Sequence, residues 1–235
     1  MRQITLTVLL LLLAAPPITA KDDGDEANAQ RLFKQMEAKL ETAKTLSLSF
    51  DSKFETEPSK GWTLKGTAVV MKNKFRTEVS GEKPGSEPFK TLIVSDGTQE
   101  VEVQGNNRKT RPASKLGISN LLTVLERPGF MIMVSPLPPE PFANPEFDLK
   151  DGFSVSDFKL GPKEQIGARE TQRVDYTLTV KGSGGSFSAS VWIDPKSDLP
   201  VKRQVGTGDE KIWYSETYDV TVDGKVEPKN FELPK

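Results

Sequence analysis

The spacing of apolar residues changes once near the start of the chain. Between residues 25 and 44, apolar residues recur at spacings of one, three and four, which predicts an amphipathic helix. Its buried stripe consists of Leu32, Phe33, Met36 and Leu40. From Leu46 onward, apolar and polar residues alternate, and a period of two is typical of a half-buried strand. One helix followed by a strand is therefore expected.

The same alternation returns in short segments up to the C-terminus. The segments are 62–72, 75–79, 90–94, 101–104, 153–160, 174–180, 187–193, 201–205 and 212–222. Asp96-Gly97 lies between two of them and is a hairpin signal. The sequence shows no repeated strand–helix–strand unit, so it predicts an antiparallel sheet of about nine to eleven strands. We expect a mainly β fold with helices (α+β), in one domain covering residues 21–235.

A different pattern interrupts the strands between Gly105 and Pro145. Residues 118–125 carry Ile118, Leu121, Leu122 and Leu125 on one helical face, and Pro128-Gly129 ends that helix. The next residues, 130–134, are all apolar, and five prolines follow by position 145. Proline rules out a regular helix or a central strand there. This segment is either ordinary core or an apolar helix-plus-loop lid, and a long curved sheet needs such a cover on its concave face.

Residues 2–20 have the features of a secretory signal. A basic residue precedes an apolar run, and small residues end at Ala20. The run is shorter than the roughly 20 apolar residues that span a bilayer. We predict cleavage after Ala20 and a periplasmic or otherwise extracytoplasmic location. A lipid anchor is not expected, because the chain has no Cys to carry one.

Composition removes several classes of function. Lys and Arg number 32 and Asp and Glu 33, so the chain lacks the basic excess of a nucleic-acid binder. The absence of both Cys and His removes the usual nucleophile, base and metal ligands, so we expect neither an enzyme nor a metal or other cofactor. The Ser-rich stretch 182–186 is interpreted as a hairpin turn, and the Glu100 and Glu102 pair as solvated charge on a strand.

Four stretches together resemble the periplasmic lipoprotein carrier family LolA and its relatives. They are the first strand at 45–50, the hairpin at 66–76, the Ser95-Asp96-Gly97 hairpin at 92–98, and the closing region at 191–200 with the tail 231–234. Their order and spacing, over most of the chain, carry the resemblance. It implies a curved, unclosed antiparallel half-barrel, with helices filling the concave side and an apolar cavity for acyl chains.

On this resemblance we assign an apolar ligand cavity and its mouth. The cavity residues are Leu48, Phe50, Val70, Phe75, Leu121, Leu122, Leu125, Phe130, Met131 and Met133. Lys72, directly before Asn73, is assigned to the mouth, where the family has a basic residue. The alternative for Lys72 is a solvated hairpin charge.

The protein is therefore expected to be an exported, monomeric binding protein for lipoprotein acyl chains or another hydrophobic ligand, with a role in outer-membrane lipoprotein sorting. The rival is an interaction module of the same fold, which docks a membrane or regulatory protein of the envelope and fills its cavity with its own side chains. A hydrolase acting through carboxylates is the least favoured alternative.

Overall fold

The computed structural model describes residues 23–54, 61, 63–82, 85–115, 117–130, 148–181, 185–206 and 212–234. Within these ranges the chain forms eleven strands, three α-helices and a C-terminal 3₁₀ helix. The proposed signal at residues 2–20, the loop part of the lid at 131–147 and most of the turn at 182–186 lie outside them.

The helices and strands follow the order expected from the alternation of periods. The helices are α1 (Asp23–Glu41), α2 (Gly117–Glu126) and α3 (Leu149–Gly152), and the 3₁₀ helix is Pro228–Phe231. The first six strands are β1 (Thr45–Phe54), β2 (Thr63–Met71), β3 (Lys74–Glu82), β4 (Phe89–Ser95), β5 (Gln99–Gln104) and β6 (Asn107–Pro112). The last five are β7 (Phe153–Ile166), β8 (Arg169–Val180), β9 (Gly185–Asp194), β10 (Leu199–Gly206) and β11 (Ile212–Val222).

All eleven strands belong to one sheet, in the order β6-β5-β4-β3-β2-β1-β11-β10-β9-β8-β7. Every neighbouring pair is antiparallel, so the sheet consists of two meanders, β1–β6 and β7–β11. The pairing of β1 with β11 joins the meanders, and β6 and β7 are the two edge strands of the described part of the chain. The sheet is therefore unclosed, which confirms the expected α+β half-barrel.

One face of the sheet carries the core. Inward residues alternate along each strand, as in β1, where Leu46, Leu48 and Phe50 are buried. Helix α1 lies on this face, and its ring of Phe33 packs 5.2 Å from Phe158 and 5.0 Å from Tyr176. The stripe predicted for α1 is thus its buried face.

The topology explains why α2 and α3 cross the concave side. The connection from β6 to β7 joins opposite edges of the sheet, and α2 and α3 lie within it. Val124 and Leu125 of α2 and Leu149 of α3 belong to the same core cluster as the inward strand residues. The expected position of the helical part of the lid is confirmed.

Two expectations about the polar end of the sheet were wrong. The stretch after Gly105 was expected to leave the sheet, but residues 107–112 form β6. All six residues are exposed, so no apolar residue marks the strand's inward face. Glu100 was interpreted as solvated, but its side chain is 3% exposed and forms a 2.5 Å ion pair with Arg111 on β6. Strand pairing across the hairpin, which alternation alone does not reveal, supplies that partner.

Candidate ligand-binding face and its cover

The strand residues assigned to the cavity meet on the concave face of β1, β2 and β3. The register pairs Val70 directly with Phe75, and Leu48 lies two residues from Phe50 on the same face. All four side chains are buried within the main core cluster. They form a continuous apolar wall beneath the helices.

Gly66 allows the ring of Phe50 to lie flat against this wall. Phe50 is paired with Gly66, and a Cβ added to Gly66 would lie 2.5 Å from the ring. Because that distance is far below a normal carbon contact, a side chain at position 66 would displace the ring. The glycine therefore fixes where Phe50 sits.

Helix α2 and Phe130, which cover the concave face, contribute the remaining described residues of the predicted cavity. Leu125 is buried, whereas Leu121 and Leu122 are partly exposed and pack against the core. The ring of Phe130 stacks on that of Phe50, with centroids 3.9 Å apart and planes 8° from parallel. Eight of the ten cavity residues are thus brought to one side of the sheet, and their role in ligand binding stays a prediction. Met131 and Met133 lie outside the described residues.

Arg203 fastens the C-terminal end of α2 to the sheet. Its Nη2 donates to the carbonyl oxygens of Leu125 (2.7 Å) and Glu126 (3.0 Å). Its Nη1 donates to the carbonyl of Arg127 and to the hydroxyl of Tyr176 (2.6 Å). The last carbonyls of a helix have no partner within it, so the guanidinium supplies the donors that they lack. Arg203 is fully buried, and this network replaces the hydration of its two Nη groups, while its Nε has no hydrogen-bond partner among the described residues.

Glu216 binds the backbone of Phe130, four residues beyond the end of α2. Its carboxylate accepts hydrogen bonds from the Phe130 amide (3.2 Å), the Ser52 hydroxyl (2.7 Å) and the Tyr218 hydroxyl. Burial raises the pKa of Glu216, and these donors oppose the rise. Gly129 permits the close approach, since its φ is 74° and a Cβ there would lie 2.5 Å from Glu216 Oε2.

Sequence reasoning missed this network, although part of its signal is present. Ser52, Glu216 and Arg203 occupy inward positions on β1, β11 and β10, and the register places them side by side in one row. A charged residue at an inward position of an alternating strand predicts a buried ion that needs partners. The partners themselves come from α2, and no local pattern identifies them.

Another buried carboxyl group, that of Glu126, lies where α2 meets α1 and α3. Glu126 is fully buried, and neither of its carboxylate oxygens has a hydrogen-bond partner within the described ranges. Burial, together with the charges of Glu41 and Glu37 on α1, raises its pKa from 4.5 to about 7, while Lys150 and Arg127 oppose the rise. Arg127 itself donates to Glu37 at 3.1 Å, and Lys150 pairs with Glu41. The junction therefore contains an acid that changes charge near neutral pH.

Lys72, assigned to the mouth, lies in the tight turn between β2 and β3. It is exposed, and its φ of 57° is in the left-handed region. Asn73 reaches across to the next hairpin, where its side-chain amide donates to the Gly97 carbonyl at 3.4 Å. Phe75 lies on the concave face, one step into β3. The turn is thus at the end of the apolar wall, and the role of Lys72 there stays a prediction.

In the part of the chain that the structure describes, no three His, Cys, Asp or Glu side chains are grouped so that they could hold a metal ion. None of the helices among these residues is long and apolar enough to cross a bilayer.

A shallow cavity of about 350 Å³ over β1–β4 is lined largely by outward polar side chains such as Lys65, Thr67 and Lys90, so it does not suit an acyl chain.

Comparison with solved structures identifies the class of fold. The chain resembles LprF from Mycobacterium bovis, with a TM-score of 0.52, 10% identity, and coverage of 86% of this chain and 96% of LprF. It resembles the Mycobacterium tuberculosis lipoprotein LppX with a TM-score of 0.50, 12% identity, and coverage of 86% and 98%. MucB follows at 0.46, with 13% identity and coverage of 88% and 63%. The amino-acid sequence matches no protein-family model and no curated protein.

The chain therefore has the LolA-like half-barrel fold that the sequence resemblance implies. At these identities the likeness extends to the fold, and the function has to be argued from this chain's own residues.

Proposed function

We propose that this protein is an exported binding protein that holds a hydrophobic ligand between the concave face and α2. Lipoprotein acyl chains are the ligand that best fits the fold and the apolar wall. The proposal includes cleavage after Ala20, a protein free in the extracytoplasmic fluid, and a monomer without catalytic activity or cofactor.

The observation that carries the proposal is that α2 is bonded to the sheet at its C-terminal end. The C-terminal end of α2 is fixed to the sheet by Arg203, whereas its N-terminal half is joined to α3 through the 2.9 Å bond from the Leu149 amide to the Asn120 side chain, and Leu121 and Leu122 keep part of their apolar surface exposed. Apolar side chains over an apolar wall favour a water-insoluble guest. Because the bonds from α2 to the sheet are at its C-terminal end, its N-terminal half and α3 can move together by a small amount to admit such a guest.

One observation favours the rival, an interaction module with a self-filled interior. The Phe130 ring already stacks on Phe50, so the chain itself occupies part of the wall. The two functions differ in what the purified protein contains. Solvent extraction followed by mass spectrometry of protein purified from its own envelope should release bound acyl lipid if the proposal is correct, and none if the interior is self-filled.

Shortening Leu122 should reduce ligand binding more than it reduces stability. We expect Leu122→Ala to weaken binding of a fluorescent C16 fatty acid several-fold, while the free energy of unfolding changes by less than about 1 kcal/mol, because this side chain is partly exposed. Titration of the probe and urea unfolding measure the two effects.

The matched control is Leu125→Ala on the same helix. Leu125 is 1% exposed, and removing a buried leucine side chain costs about 2 to 5 kcal/mol. If Leu122→Ala binds the probe as tightly as the unaltered protein does, α2 does not line the site and the proposal fails in this form.

Lys72 should act on the polar end of the ligand. We expect Lys72→Ala to weaken binding of the anionic C16 probe by up to about fivefold, which corresponds to an exposed charge contribution of at most about 1 kcal/mol. Lys74→Ala, two residues along the same hairpin, removes an equal charge and should have little effect. Equal effects of the two substitutions in the same titration would remove Lys72 from the mouth.

A further inference from the structure

The two free edges of the sheet differ in how far they are protected against pairing. β7 departs from regular register twice, between Ser156 and Lys159 and between Leu160 and Lys163, and it contains Pro162. Bulges and proline are common devices that prevent strand addition. β6 instead pairs with β5 in continuous register over six residues, and all of its residues are exposed. Among the residues that the structure describes, β6 is thus a regular edge strand with no strand paired to its outer side.

The β5–β6 hairpin determines which backbone groups of β6 face outward. Gly105 and Asn106 form a two-residue loop, and such a loop closes on a hydrogen-bonded pair, here Gln104 with Asn107. Hydrogen-bonded and non-hydrogen-bonded pairs then alternate. The 2.9 Å bond from the Ala113 amide to the Thr98 carbonyl continues this alternation beyond the strand.

It follows that Arg108 and Thr110 are non-hydrogen-bonded positions with respect to β5. Their amide and carbonyl groups point away from β5, so four backbone groups are presented to an incoming strand. An extended peptide that pairs with these two residues would become a twelfth strand, which is a known mode of peptide recognition.

The charge of β6 limits what that strand can be. Residues 105–115 contain Arg108, Lys109, Arg111 and Lys115 and no acidic residue. A second copy of β6 would bring like charges next to one another, which destabilises strand pairing. An acidic strand would instead place carboxylates beside Lys109, whereas Arg111 is already paired with Glu100 and the Arg108 side chain donates to the Pro234 carbonyl at 2.6 Å. The same cations that prevent self-association therefore favour an acidic partner.

We propose that β6 is a docking edge for an extended acidic segment of a partner protein, which adds to the sheet through the backbone of Arg108 and Thr110. The edge is separate from the concave ligand face. Failure of the ligand proposal would leave this inference standing, and the reverse also holds.

The experiment uses a fluorescein-labelled heptapeptide, TEVEVET, titrated into the purified protein and followed by fluorescence anisotropy. We expect saturable binding to the unaltered protein and at least tenfold weaker binding to Thr110→Pro. Proline removes the outward amide of residue 110 and leaves every hydrogen bond between β6 and β5 in place. Thr110→Val keeps the amide and is the matched control. Lys109→Gln should weaken binding about two- to fivefold, and Lys196→Gln, at an exposed turn, should not.

Hydrogen exchange provides a second measurement on the unaltered protein, in case Thr110→Pro disturbs the hairpin. Added TEVEVET should slow exchange of the Arg108 and Thr110 amides, since only outward groups gain a partner. The inference is overturned if TEVEVET does not bind, if the basic peptide TKVKVKT binds as tightly, or if these two amides are not protected. It is also overturned if phosphatidylglycerol vesicles compete with the peptide while Thr110→Pro binds normally, because the edge would then be a general anion-binding surface.

Discussion

Replacing Arg203 with methionine is expected to lower the free energy of unfolding by about 3 to 5 kcal/mol, the usual cost of removing one partner from a buried ionic network. Methionine fills much of the volume but donates no hydrogen bond. The carbonyls of Leu125 and Glu126 then lose their donors at the end of α2, and that of Arg127 keeps only the Tyr176 hydroxyl. Urea unfolding followed by tryptophan fluorescence measures the change.

The control for Arg203→Met is Arg169→Met. Arg169 pairs with Asp219 at 2.7 Å on the surface, so its removal should cost less than about 1 kcal/mol. A double variant that also carries Glu216→Gln should lose less than the sum of the single losses, because both residues hold the same segment. A loss below about 1 kcal/mol for Arg203→Met would show that α2 is not fastened by this side chain.

Glu126→Gln is expected to make the protein more stable at pH 8 and to have little effect at pH 5. The folded-state pKa of Glu126 is raised from 4.5 to about 7, so the folded protein binds a proton that the unfolded chain releases. The stability that this proton contributes is present below pH 4.5 and is lost as the pH rises through 7. Applied to this shift, 1.36 kcal/mol per pKa unit gives a total of about 3 kcal/mol.

Unfolding free energies at pH 5, 6, 7 and 8 test this prediction. The difference between the unaltered protein and Glu126→Gln isolates Glu126 from Glu216, whose pKa is also raised by burial. Glu87→Gln makes the same chemical change in an exposed loop and should leave the profile unchanged. A constant difference between the two proteins from pH 5 to 8 would contradict the proposed titration.

The fold was predictable wherever one side of an element is apolar. The apolar stripe of α1 and the alternation in β1 each indicate which side of the element is buried, and burial of that side stabilises the element. β6 gives no such signal, since Asn107 to Pro112 are polar on both sides and pair only because the hairpin places them beside β5.

The apolar wall of the candidate site could be predicted from the sequence, whereas the contacts that hold α2 to the sheet could not. Phe50 and Phe75 follow from alternation, whereas the partners of Arg203 depend on contacts with α2 that lie 77 and 78 positions away in sequence. The raised pKa of Glu126 likewise depends on α1 and α3 meeting around it. Such long-range packing has no local signature in the chain.

The two meanders have a consequence for how the protein assembles. Each is built from neighbouring hairpins, whose contacts are local and form quickly. The β1–β11 seam is different, since Ser52 and Glu216, which meet there, are 164 positions apart. A cut in the β6–β7 connection would leave each meander whole on its own fragment. The seam is then the sheet contact through which the two fragments would recognise each other, and its closure is the slow, non-local event in folding of the intact chain.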